Sequence, residues 1–385
     1  MFSWSMYWVT CICLGVAGAS AKSRSGSSLF QVLLFLLSAT LIVFGLKVSL
    51  IPLALMIAFA LFAIVVMRMG RPVSWAIVPM VLVWAIAKCA GFVLIPALPL
   101  TAFVGISYFV VKLFTLLRDY QSGLVKSPRA ITILNFLFFA PTFLAGPMHL
   151  YREFDASVRA PRMPSVPESI PLVFRILWGA TKVFVLAPFL LPHGLPVAPD
   201  GSVTGIDLVL RAFVFTFQLY FEFSGYSDMA IGSAKLMGIS TPENFNNPLL
   251  SRNIVEFWQR WHITLMRVIT SYVYVPLTRY LSAKKEFSSR LTMVLGITGA
   301  FAVSGFWHGA ALNFILWGLY NAAGIIVYES FRPKLVKLNK RPLFSRPAAS
   351  NAVRIVSICL TFVFISLGWI IFNWDSNAAK GSLGL

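Results

Sequence analysis

Apolar residues in this chain come in long unbroken runs rather than in the alternating or 3.6-residue patterns of a fold that meets water. The hydrocarbon core of a bilayer takes about 20 apolar residues per helix. Runs of that kind lie at 2–20, 29–46, 49–67, 73–93, 97–117, 171–191, 207–223, 291–304, 311–328 and 352–372. The pattern predicts an all-α polytopic integral membrane protein of about ten or eleven transmembrane helices, built as a single membrane-embedded domain over residues 1–385. The apolar stretch 131–146 is short, and Pro141 and Gly146-Pro147 interrupt a helix there. It is expected to be re-entrant, because non-helical backbone at membrane depth is tolerated where protein encloses it, with a kinked ordinary span as the alternative. Between about 224 and 290 hydropathy falls while aromatic residues recur at helical intervals between turn clusters, which predicts short helices at the cytoplasmic interface.

Composition agrees. Of 385 residues 58% are hydrophobic and 12% charged, with a mean hydropathy of +0.81, whereas a soluble domain carries about 25% charged residues. The 32 Lys and Arg against 13 Asp and Glu give +19. In a soluble protein that excess would suggest nucleic acid; here it follows the positive-inside rule, so the partner implied is the lipid bilayer and not nucleic acid. Lys22/Arg24, Arg68/Arg71 and Arg118/Lys126/Arg129 recur after every second run, and 332–354 is basic without an acid, so all of these are placed in the cytoplasm. Residues 191–207 hold Asp200 and Asp207 without Lys or Arg and fit the outer face. The Ala19-Ser20-Ala21 triplet imitates a signal-peptidase site, but no Lys or Arg precedes the first run, so that run is read as a retained span. Cys11, Cys13, Cys89 and Cys359 sit in apolar runs without CxxC or zinc spacing; they read as small buried hydrophobes, and no metal site is expected. No internal repeat supports a repeat-built transporter.

Two of the four histidines have unusual surroundings. His308 lies in SGFWHGA, inside residues 291–328, which hold no Asp, Glu, Lys or Arg. An ionisable group at that depth marks a functional site or a cavity wall, or else donates to a neighbouring helix's carbonyl. His262 lies in FWQRWHITL, where a helix would place Trp258 and His262 on one face at i, i+4, with Trp261 beside them; an anchoring aromatic belt is the plainer reading. His149 and His193 read as structural. Glu222 and Asp228 read as buried carboxylates, either structural partners for cations or a proton relay. GxSxG, Walker A and HExxH are absent.

Seven ordered segments carry a resemblance: GISYF at 105–109, AGPMHLYREF at 145–154, FSGYSDMAIG at 223–232, PENFNNP at 242–248, FWQRWHITL at 257–265, YVYVPL at 272–277 and SGFWHGA at 304–310. Together, over a core of about 105–324, they resemble the membrane-bound O-acyltransferase (MBOAT) family, in particular its bacterial branch of alginate O-acetylases and teichoic-acid D-alanyl transferases. The resemblance implies helices around a central tunnel, His308 as catalytic histidine and His262 as the second active-site position. Trp258, Trp261, Trp307, Arg260 and Asn246 become candidates for binding substrate, and Arg252, Arg260 and Arg267 for the donor's phosphates. Thr270-Ser271 stands where the alginate branch has an Arg-Asp pair.

The implied activity is transfer of an acyl group, acetyl rather than amino-acyl, with no bound cofactor. Acyl-CoA or an acyl carrier protein thioester would be the donor, on the cytoplasmic side. The acceptor would be an extracytoplasmic polysaccharide or a periplasmic or surface acyltransferase partner, and the location a bacterial inner membrane crossed many times. The rival readings are a proton-coupled transporter and a non-catalytic scaffold of a polysaccharide-export complex.

Overall fold

The computed structural model describes residues 28–45, 50–93, 105–194, 205–284, 286–339 and 347–374. The first predicted span, with Cys11 and Cys13, lies outside them. Every regular element among the described residues is helical, as the bilayer requires of a chain that must satisfy its own backbone. Four helical stretches are long and apolar enough to cross a membrane: Val166–His193, Ser289–His308, Leu312–Val336 and Asn351–Phe372. Three shorter apolar helices match further predicted runs, Phe30–Val43, Pro52–Arg68 and Ser74–Cys89. The structure thus supports an all-helical membrane protein, but not the count of ten or eleven spans.

The chain divides into two compact units, residues up to 183 with 223–243, and residues 184–222 with 244–385. In the first, α1 (Ser28–Thr40), α2 (Leu50–Arg68), α4 (Ile106–Gln121) and α6 (Tyr151–Arg159) pack on α5 (Ala130–Leu137), while α3 (Ser74–Val93) packs on α2 and α4. At 8 residues α5 is about 12 Å long, far short of the roughly 30 Å hydrocarbon layer. The chain then makes a 3-10 turn at Ala140–Thr142 and stays non-helical to Leu150, nearly all of it buried. Lys112 of α4 holds this turn, its Nζ donating to the Phe136 and Thr142 carbonyls at 3.3 and 3.0 Å. The segment 131–146 therefore does not cross as a helix, and protein encloses its open backbone. His149 is structural, its Nε2 meeting the Ser240 carbonyl and the Thr241 hydroxyl.

Helix α7 (Val166–Thr181) opens with a capping box from Ser165 and Glu168 and continues through a wider turn to His193, which is exposed. Helix α8 runs from Gly205 to Leu236, well beyond the predicted end near 223. The reason lies in its glycines. A Cβ on Gly225 would lie 2.7 Å from the Gly179 carbonyl, and one on Gly232 would lie 2.5 Å from Ile176. Small residues seven apart let α8 approach α7 closely, and that packing carries the helix through a polar sequence. Asp228 accepts from Arg175 Nε at 2.8 Å and Lys182 Nζ at 2.7 Å, and Arg175 also grips Glu243. Asp228 is thus a structural partner for cations, and Glu222 is exposed rather than buried, taking a hydrogen bond from Gln218. Cys89 and Cys359 are also exposed, on apolar helices, not buried as expected.

In the second unit, α9 (Ile254–Arg260), α10 (Ile263–Ile269), a wide turn at Thr270–Tyr274 and α11 (Val275–Ser282) precede the long helices α12 (Ser289–His308), α13 (Leu312–Asn339) and α14 (Pro347–Phe372). Helices α12 and α13 form the most extensive pairing. Their backbones touch where a Cβ on Gly305 or Gly318 would run into the Phe314 or Phe301 carbonyl. Much of the basic stretch after 332 is helical, since α13 passes Pro333 and ends at Asn339.

Candidate active site

His308 is the last residue of α12, where Gly309 ends the helix and the chain turns into α13. Its ring lies in edge-on contact with Trp307 at 4.8 Å, Trp317 at 5.1 Å and Phe372 at 5.3 Å between centroids, and it remains half-buried. Asn313 fixes the third wall by donating to the Phe372 carbonyl at 2.6 Å. The imidazole is thus reachable yet bordered by three aromatic rings.

His262 arrives by a different route from the one expected. Helix α9 stops at Arg260, Trp261 is extended, and His262 adopts φ 46 and ψ 49 as the N-cap of α10. The i, i+4 face with Trp258 does not form. The left-handed backbone, unusual for a residue with a side chain, turns the ring instead onto Trp307 at 6.1 Å. The two imidazoles therefore flank one indole, and their separation cannot exceed those two centroid distances together. His262 is only 2% exposed. It lies in a turn between two short helices, outside the four spans, and burial pushes its pKa well below the ordinary value, aided by the His308 charge.

The other candidates separate. Trp258 packs on Phe301 and Trp317, so it is one ring removed from His308. Trp261 belongs to an aromatic stack with Tyr220, Phe245, Phe257 and Trp369, none of them a histidine. Arg260 and Arg252 both pair with Glu256. Asn246 is exposed and gives its backbone N–H to the Arg260 carbonyl at 3.0 Å. The structure therefore gathers His262, Trp307 and His308, with Trp258 behind them, and holds Trp261, Arg260 and Asn246 in supporting contacts.

Trp258 also lines a cavity of about 680 Å³ with Ile263, Arg267, Ser271, Met293 and Phe301, and neither histidine nor Trp307 is part of that lining. Thr270 also lines it, so the position of the missing Arg-Asp pair is here a cavity wall of small hydroxyls. Among the described residues no group of three or more His, Cys, Asp or Glu could hold a metal ion.

A helical membrane protein with paired imidazoles at an aromatic, weakly charged site fits an acyl-transfer enzyme. The family model for MBOAT, the membrane-bound O-acyltransferase family, matches residues 2–370, and the chain belongs to that family. It is an acyltransferase. It is 30% identical over 286 residues to a teichoic acid D-alanyltransferase of Bacillus subtilis, covering 71% of this chain and 69% of that protein. It is 31% identical over 286 residues to "Probable alginate O-acetylase AlgI" of Pseudomonas syringae, covering 73% of this chain and 50% of that protein. A peptidoglycan O-acetyltransferase of Helicobacter pylori is 37% identical over 189 residues, 48% of this chain and 33% of that protein.

Proposed function

We propose that the chain moves an acyl group, acetyl in our reading, from a cytoplasmic thioester across a bacterial inner membrane. The donor is acyl-CoA or an acyl carrier protein, and the acceptor is an extracytoplasmic saccharide hydroxyl or a partner transferase. The observation that carries this reading is the pair of imidazoles flanking Trp307, with Trp258 between them and an apolar cavity large enough for a thioester arm.

A saccharide hydroxyl is too weak an acid to attack unaided, and a neutral imidazole can take its proton as the new C–O bond forms. His308 is that base. The oxygen adds to the thioester carbonyl, the tetrahedral oxyanion collapses, the C–S bond breaks, and the His308 imidazolium returns its proton to the departing sulfur. His308 makes this transfer among the Trp307, Trp317 and Phe372 rings, which border it on three sides. In this reading an indole N–H, that of Trp307, stabilises the oxyanion, an effect that is large in a water-poor site.

The test is labelled acyl-CoA with purified protein in lipid. Thioester hydrolysis or transfer is expected, and His308→Ala should lower it by about 10²- to 10⁴-fold while insertion and melting temperature are kept. Retained turnover in that variant, or solute flux in place of thioester chemistry, overturns the assignment. Supplying acetyl and D-alanyl thioesters in competition identifies the acyl group, with acetyl expected.

A further inference from the structure

Asn244 lies 18 residues before His262, is fully buried, and reaches the histidine turn with its side-chain oxygen. Its Oδ1 meets three groups: Thr264 N at 3.3 Å, Thr264 Oγ1 at 2.8 Å and His262 Nδ1 at 3.1 Å. A backbone N–H can only donate, so the Asn244 atom facing Thr264 N is the carbonyl oxygen and not the amide nitrogen. An amide oxygen accepts and does not donate. The His262 nitrogen that faces it must then carry the proton. A neutral imidazole holds one proton on its two nitrogens, so the proton on Nδ1 leaves Nε2 with a lone pair. The Asn244 backbone oxygen also accepts from Ile263 N at 2.9 Å, which ties down the left-handed backbone at His262.

We propose that Asn244 is a positioning residue that locks His262 as the Nδ1–H tautomer, so that its Nε2 is a hydrogen-bond acceptor and never the oxyanion donor. A substrate group that meets this Nε2 in the reaction is therefore a hydrogen-bond donor, either the acceptor hydroxyl or an amide N–H of the thioester's arm. This deepens the function proposed above and rests on it for the catalytic consequence alone.

The tautomer is read directly by nitrogen-15 NMR of histidine-labelled protein in lipid, with the His262 signals assigned by difference against His262→Gln. Wild type should show protonated Nδ1 and unprotonated Nε2 at His262. Asn244→Leu should give a mixture of tautomers and a kcat lower by about 10- to 100-fold, with KM for the thioester little changed. Asn244→Asp keeps an acceptor oxygen and should restore the tautomer and most of kcat, which a residue needed only for packing would not do. A wild-type His262 protonated at Nε2 overturns the proposal, and so does Asn244→Leu with the wild-type tautomer and kcat. The wild-type spectrum decides the tautomer even where Asn244→Leu fails to fold. It also needs no turnover: a chain inert toward every thioester would overturn the proposed function and leave the tautomer assignment standing.

Discussion

His262 occupies two unfavourable states at once, a left-handed backbone and a desolvated ring. Such strain persists where surrounding structure over-determines it, and functional sites are where it concentrates. Here the Asn244 oxygens and the Trp307 ring supply the determination. Desolvation has a pH consequence. The His262 pKa is lowered in the fold, by burial first and then by His308, while in the unfolded chain it stays near 6.5. Between the two values the unfolded chain holds a proton that the folded chain refuses. Stability is therefore complete above about pH 6.5 and falls as the pH drops toward the folded value. Glu243, held below the usual carboxylate range by its hydrogen bond from Arg175, loses its contribution only at lower pH. In melting experiments between pH 7.5 and 5, the wild type should lose more melting temperature than His262→Gln. Equal slopes would show that His262 is not the group refusing the proton.

Among the elements, the bilayer made some legible and packing hid others. The apolar runs near 49–67, 73–93 and 291–304 reappear as α2, α3 and α12 with ends shifted by a few residues, because a hydrocarbon slab selects for length and apolarity alone. The extension of α8 was not legible, since Ser224, Ser227 and Asp228 depress hydropathy where Gly225 and Gly232 supply close contact. The histidine site was legible in composition and not in geometry. The absence of charge around His308 pointed to it, but no residue pattern announces a left-handed turn at a histidine, and Asn244 had only its place in PENFNNP as a signal. The α7–α8 contact can be tested directly. A Cβ on Gly225 would face the Gly179 carbonyl at 2.7 Å and Lys182 Cβ at 2.8 Å, neither of them a mobile side-chain end. Gly225→Val should cost about 1–3 kcal/mol, seen as a lower midpoint in denaturant. Gly205→Ala on the same helix, with nothing within 4 Å, should be close to neutral. Similar midpoints for the two variants would remove close packing as the reason for the glycines.

For the whole molecule, the +19 charge becomes a statement about sidedness once the element 131–146 is known not to cross as a helix. Arg118, Lys126 and Arg129 then lie on the same side as Arg152, Arg159 and Arg162, and the positive-inside rule puts that side in the cytoplasm. On that reading the span Val166–His193 carries the chain outward, and the sequence from 191 to 207, with two Asp and no Lys or Arg, fits the outer face. A crossing helix at 131–146 would reverse this, setting three arginines outside and the acidic residues inside. Single cysteines in a cysteine-free background distinguish the two arrangements. Ser122→Cys, Val166→Cys and His193→Cys all fall at exposed positions. In right-side-out spheroplasts a membrane-impermeant maleimide should label position 193 and spare 122 and 166, and in inside-out vesicles the pattern should invert. Labels at 122 and 166 that appear on opposite faces would mean that the chain crosses between them. The enclosed turn held by Lys112 would then have to be a broken span, and the cytoplasmic assignment of the basic residues after it would fail.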